Sequence, residues 1–198
     1  MSLAGTDAYD GVRDLPPLVE RALHIAREDG FAHCCRPEQG RLLHALAAGA
    51  PGLIGETGTG LGVGLAWLAS GAREGVRLLS VERDPRRARL AAELFAGHPQ
   101  VRVLHGDWQQ ITEHGPFDLL VLDGGGQGKT DLPADPALLL APGGTLVVDD
   151  FTPADGWPPL HAGQPDLARM HWLGHPGLRA AELRLAPDLS TVVATRHG

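Results

Sequence analysis

The sequence predicts an α/β fold, a mostly parallel sheet wound on both faces by helices. Three observations carry that expectation. Short unbroken apolar runs such as Phe117 to Leu122 read as strands buried on both faces. Helical patterns alternate with these runs from residue 53 to residue 151, as crossover connections between parallel strands require. The 198 residues, 43% of them hydrophobic, suffice for one domain with a real core.

Each element has its own local signal. Residues 16–30 read as a helix: Pro16 and Pro17 suit a first turn, Leu18, Leu23 and Ile25 form an apolar stripe, and Gly30 ends it. Residues 37–48 read as a second helix, with Pro37 near its start and Leu42, Leu43 and Leu46 on one side. Leu53 to Glu56 is a short strand and Gly62 to Ser70 a helix. The strand from Val76 to Val81 ends in Glu82. Asp84 as N-cap and Pro85 at the first helical position then open a helix that runs to Ala96. Val101 to His105 is a strand ending near Asp107, and Phe117 to Leu122 one ending in Asp123. A short helix over Pro136 to Leu140 precedes the strand Thr145 to Val148, which ends in Asp149 and Asp150. Residues 152–176, rich in Pro, Gly, His and Trp, read as a long irregular loop, a feature that is often functional. Leu178 to Leu185 and Thr191 to Thr195 have no helix between them and predict an antiparallel hairpin.

Composition narrows the function classes. The net charge of −7 and the lack of a long Lys/Arg run disfavour a nucleic-acid or anionic-membrane partner. Arg83, Arg86, Arg87 and Arg89 are interrupted and read as a solvated helix face. No run of eighteen apolar residues occurs, and residues 1–15 are polar and acidic, so a cytoplasmic location is expected. Cys34 and Cys35 are adjacent, a spacing that resists a strain-free disulfide, and they read as reduced packing residues before a helix.

The chemistry gathers at strand ends. In an open parallel sheet, ligands bind beyond the carboxyl ends of the strands, and Glu56, Glu82, Asp107, Asp123, Asp149 and Asp150 all lie there. Gly58, Gly60, Gly62 and Gly64 fall at alternate positions before a helix, which exposes backbone to a ligand. A dinucleotide fingerprint needs G-x-G-x-x-G, and here the third glycine comes one residue early. An acid placed as Glu82 is can accept from both ribose hydroxyls and repels a 2′-phosphate. Gly124 to Thr130 fails as a phosphate loop, because Asp123 stands where its first glycine should. The ten histidines form no H-E-x-x-H pair; His161 and His171 fall in the long loop, and Gly174 and Pro176 argue against a helix joining His171 to His175.

Taken together, five motifs resemble the class I S-adenosylmethionine-dependent methyltransferases. They are Glu56-Thr57-Gly58-Thr59-Gly60-Leu61-Gly62, Ser80-Val81-Glu82, His105-Gly106-Asp107-Trp108, Phe117 to Asp123, and Leu140 to Asp150. The resemblance covers roughly residues 37–151, and the hairpin matches that family's reversed last strand. It implies a Rossmann-like sheet of seven strands in the order 3-2-1-4-5-7-6, in one domain over 1–198. Residues 1–50 would be a helical cap, 51–151 the cofactor core, and 152–198 a substrate loop and hairpin. The implied cofactor-binding set is Glu56, Thr57, Gly58, Thr59, Gly60, Gly62, Glu82, Arg83, Asp107, Trp108 and Asp123. Glu82 would hold the ribose, Asp107 the adenine amine, and Asp123 the methionyl amine or the substrate. Asp123 and Lys129 are the catalytic candidates.

Within that superfamily, the fourth and fifth strand ends look like the catechol and caffeoyl-coenzyme A type of small-molecule O-methyltransferase. The resemblance places Asp123, Asp149 and Asp150 where that group holds a divalent cation, with Asp150 replacing its usual Asn. Mg²⁺ would suit three carboxylates and would lower the pKa of a bound hydroxyl. The turn after Asp123 lacks the Pro-Pro-aromatic pattern of base-methylating enzymes. The expected activity is methyl transfer from S-adenosylmethionine to a small molecule, at a hydroxyl oxygen, by a chain for which a homodimer is one open state. Two rivals stand beside it: a nucleoside-binding module without catalysis, and an NAD(P)-dependent oxidoreductase, which needs a parallel sixth strand.

Overall fold

A computed structural model describes residues 4–123 and 134–197. In chain order the elements are α1 (Pro17–Glu28), α2 (Pro37–Gly49), β1 (Leu53–Thr57), α3 (Val63–Gly71), β2 (Arg77–Glu82), α4 (Pro85–Leu94), β3 (Val101–His105), β4 (Phe117–Leu122), α5 (Pro136–Leu139) and β5 (Leu140–Phe151). They continue with a small hairpin, β6 (Leu160–His161) and β7 (Gln164–Pro165), then α6 (Leu167–Gly174), β8 (Leu178–Ala186) and β9 (Leu189–Arg196). The main sheet has the order β3-β2-β1-β4-β5-β9-β8. Its first five strands run parallel, β9 pairs antiparallel with β5, and β8 pairs antiparallel with β9. This is the order expected from the sequence, with the small hairpin adding two strand numbers. The strand beside β5 runs antiparallel, where an oxidoreductase would need a parallel sixth strand.

Alternation along each central strand divides the core in two. Leu78, Leu119, Val121 and Val147 join the packing of α1, α2 and α3 on one face. Their neighbours Leu79, Leu120, Leu122, Leu146 and Val148 join Ile111, Leu139 and Trp172 on the other. Strands covered on both faces are apolar at most positions, which is why these runs are nearly continuous, with Ser80 and Asp118 among the exceptions. The caps behave as the sequence implies: the Asp84 side chain accepts from the backbone N–H groups of Arg86 and Arg87 at 2.9 Å each.

Two expectations change. The strand expected over Thr145 to Val148 extends from Leu140 to Phe151. It passes through Pro142-Gly143-Gly144 by a register shift against β4, with Gly143 at φ +78°. The loop expected over 152–176 is also ordered, holding the small hairpin and α6. Asp166 caps α6 by accepting from the Arg169 N–H at 3.0 Å, and Arg169 and Trp172 bury one face of the helix. Gly174 ends this helix rather than preventing it, and Pro176 falls beyond it. His175 lies beyond the helix in an extended conformation, as the sequence implies, yet its ring meets that of His171, with centroids 5.2 Å apart.

Candidate functional site

The carboxyl ends of β1, β2 and β3 open onto one concave pocket. Its floor is the turn between β1 and α3, where Gly58, Gly60 and Gly62 adopt φ of +81°, +54° and +88°. Side chains with a Cβ rarely take these values, so the turn presents backbone where a side chain would otherwise stand. Gly58, Thr59, Gly60 and Leu61 line the pocket. Thr57 and Gly62 do not: the Thr57 hydroxyl donates to the Asp123 carbonyl at 3.0 Å, and Gly62 is the N-cap residue of α3. Both support the turn from behind.

Four carboxylates meet the pocket, each from a different strand end. Glu82 accepts from the Gly60 N–H at 2.8 Å through Oε2 and from the Asp84 N–H at 2.9 Å through Oε1. It thus braces the glycine turn and still has acceptor capacity for a ligand. Asp107 accepts from the Gln109 N–H at 3.1 Å, opening a short 3-10 turn over Trp108–Glu113, and both Asp107 and Trp108 line the pocket. Arg83 and Asp123 line it too. Glu56 is 2% exposed, and its Oε2 accepts from the Ser80 hydroxyl at 2.6 Å. Burial pushes its pKa up to about 8; the Ser80 hydrogen bond opposes this, while Asp123, Glu82 and Asp149 add to it.

The remaining wall is one that sequence motifs missed. Phe31, His33, Cys34 and Cys35 line the pocket from the segment between α1 and α2, and Arg87 lines it from α4. The start of the chain holds this segment in place. The Thr6 hydroxyl donates to the Phe31 carbonyl at 2.5 Å, and the Tyr9 hydroxyl donates to the Cys35 carbonyl at 3.0 Å. The Trp67 indole N–H in turn donates to Tyr9 at 2.9 Å. Both cysteines are free thiols. Burial raises Cys34 to about 11, and burial with the Asp149 and Asp123 carboxylates pushes Cys35 well up. Thiols held protonated in this way are poor nucleophiles, in keeping with a packing role. No spacing rule marks this segment, because its residues reach the pocket through tertiary contacts of residues 6 and 9.

Comparison with known proteins agrees with this geometry. Residues 56–151 match the family model described as a methyltransferase domain. A protein of Mycobacterium tuberculosis named as a probable O-methyltransferase is 33% identical over 137 residues, covering 65% of this chain and 59% of that protein. This chain thus spans about three fifths of the length of that curated relative. The O-methyltransferase of Streptomyces achromogenes involved in tomaymycin synthesis, solved with S-adenosylmethionine, has a TM-score of 0.74 at 23% identity, covering 98% of this chain and 96% of that one. An O-methyltransferase of Bacillus cereus, solved with S-adenosylhomocysteine, has a TM-score of 0.71 at 20% identity over 97% and 96% of the two chains. Residues 56–151 thus match a methyltransferase domain, and the whole chain shares the fold of these O-methyltransferases.

The fifth strand end carries two of the three acids of the expected metal site. Asp149 is 3% exposed and accepts from the Asp150 N–H at 2.7 Å, while Asp150 turns through a left-handed φ of +63°. Burial pushes the Asp149 pKa well up, reinforced by Asp123 and Asp150. Among the described residues, no three His, Cys, Asp or Glu side chains are arranged to hold a metal ion. Asp123 and Asp150 both act electrostatically on Asp149, but the three carboxylates do not form such a ligand group among the described residues. Asp149 and Asp150 stand outside the pocket lining, whereas Asp123 belongs to it. Lys129 and Gly124 to Gly126 lie outside the described residues. No described helix is long and apolar enough to cross a membrane.

Proposed function

We propose that this chain is a methyltransferase that carries the methyl group of S-adenosylmethionine to a hydroxyl oxygen of a small molecule. The observation behind the proposal is the single pocket in which the glycine turn, Glu82, Asp107 and Asp123 converge. Gly58 and Gly60 would lie along the aminocarboxypropyl chain, where a side chain would collide. Glu82 would accept from the ribose hydroxyls, and Asp107 from the adenine amine. Trp108 would supply an apolar wall or its backbone N–H. Thr59 and Arg83 complete the proposed binding set, with Glu56 beneath the turn and Thr57 and Gly62 supporting it.

The methyl donor supplies an electrophilic carbon on a positively charged sulfur. Asp123, which lines the pocket, would face that region and hold the methionyl amine or receive the proton lost by the acceptor hydroxyl. The oxygen bonds to the methyl carbon as the carbon–sulfur bond breaks, so the acceptor must lie in line behind the methyl group. Most of the rate gain would come from that positioning, and the proton acceptor would add to it. Lys129, shortly after Asp123 in the chain, is the second proposed catalytic residue. No step is routed through a metal. A cytoplasmic location and the absence of a nucleic-acid partner belong to the same proposal.

Mass spectrometry of the purified protein and titration calorimetry test the reading. The expected result is S-adenosylhomocysteine carried through purification or bound with a defined stoichiometry. Absence of binding by both the methyl donor and its product would refute it.

A further inference from the structure

We infer that Phe31 and Arg87 form the ribose-side wall of the pocket, so that the segment before α2 is part of the cofactor site rather than a cap upon it. The inference rests on the S-adenosylmethionine reading above and extends it to residues outside the methyltransferase motifs.

Geometry carries it. A Cβ placed at Gly60 would lie 3.1 Å from the Phe31 ring, so the ring packs directly on the glycine turn. The Gly60 N–H donates to Glu82, which places the ring beside the carboxylate that would hold the sugar hydroxyls. Arg87 approaches from α4 with its guanidinium carbon 4.7 Å from the Phe31 ring centroid. The first turn of α4 is fixed to the same carboxylate, because the Asp84 N–H donates to Glu82 and Asp84 caps Arg87. Phe31, Gly60, Glu82 and Arg87 thus close a ring of contacts around one end of the pocket. A sugar fits this arrangement chemically: its hydroxyls meet a carboxylate, and its C–H face meets an aromatic ring. Phe31 is 7% exposed, and its backbone is held by Ala26 through its N–H and by Thr6 through its carbonyl. The ring is therefore set in place before a ligand arrives, which lowers the ordering cost of binding.

Calorimetry with S-adenosylhomocysteine and with adenosine tests this on the full chain, comparing wild type with Phe31→Leu, Phe31→Tyr, Arg87→Gln and Arg87→Lys. Phe31→Leu should weaken both ligands by the same factor, roughly tenfold. Phe31→Tyr should restore binding, and Arg87→Lys should lose less than Arg87→Gln. In turnover, KM for S-adenosylmethionine should rise with kcat nearly unchanged, and the ligand-free melting temperature should hold. Wild-type affinity in Phe31→Leu would overturn the inference. So would a loss tracking a fall in ligand-free stability and not rescued by Phe31→Tyr, since that marks a core residue only. Failure of the wild type to bind either ligand would instead overturn the underlying cofactor reading.

Discussion

At the ends of β1 and β2, the buried carboxylates of Glu56 and Glu82 are held by groups that strand register brings alongside. These are the Ser80 hydroxyl for Glu56, and the Gly60 and Asp84 N–H groups for Glu82. Beyond β5 the buried charge is a cation, and its partners are two carboxylates and an aromatic ring. Arg169, 1% exposed, pairs with Asp166 and with Glu182 of β8 at 3.1 Å each and lies over the Phe151 ring. Ser190 of β9 donates to the same Glu182 at 2.6 Å. The first region is organised around a ligand pocket, and its acids keep capacity for one. The second is internally neutralised and serves to fasten the segment after β5 to the antiparallel edge of the sheet. Buried charge in this molecule thus marks either a site or a fastening, and its partners distinguish the two.

The largest expected effect lies in the fastening. Arg169→Met should cost about 3 kcal/mol or more in urea unfolding, because Asp166 and Glu182 lose their buried counter-ion. At a temperature where the variant stays folded, its affinity for S-adenosylhomocysteine should match wild type. A large loss of affinity there would break the distinction between the regions.

The next effect is a pH dependence in the pocket. The folded pKa of Glu56 is raised to about 8 from an ordinary 4.5. The folded state therefore binds more protons than the unfolded state between those values. The stability contribution of this group is fully present below pH 4.5 and is lost as pH rises through about 8. Glu56→Gln should flatten the decline of ligand-free stability across that window by up to about 1.4 kcal/mol per pH unit. Part of the slope should persist, because Asp149 is raised as well. An unchanged slope would show Glu56 to be ionised throughout.

The smallest effect is expected from a chelator. Asp123, Asp149 and Asp150 do not assemble as ligands among the described residues, so turnover should persist in its presence. Loss of turnover reversed by Mg²⁺ would return the three acids to a metal site.

How far the sequence could be read follows the same division. The glycine turn, the Asp84-Pro85 cap and the acids at strand ends are local signals, and each lies where the sequence places it. Helix α6 escaped because Gly174 and Pro176 look like loop residues, while its stability comes from Arg169 and Trp172 packing against distant strands. The extension of β5 escaped because Pro142-Gly143-Gly144 reads as a turn, yet pairing with β4 absorbs it through a register shift. Phe31 to Cys35 escaped because hydrogen bonds from Thr6 and Tyr9, more than twenty residues away in sequence, put that segment on the pocket. The metal expectation rested on three acids close in sequence motif and strand position, and among the described residues they do not form a metal-ligand group.

The most direct test of the account is calorimetric titration of S-adenosylhomocysteine into wild type and Glu82→Ala. Glu82 both braces Gly60 and would hold the ribose, and hydrogen bonds to a charged group contribute about 1.5–3 kcal/mol each. The account predicts stoichiometric binding by wild type and an affinity at least about tenfold lower in the variant. Equal affinity in the two proteins would contradict it.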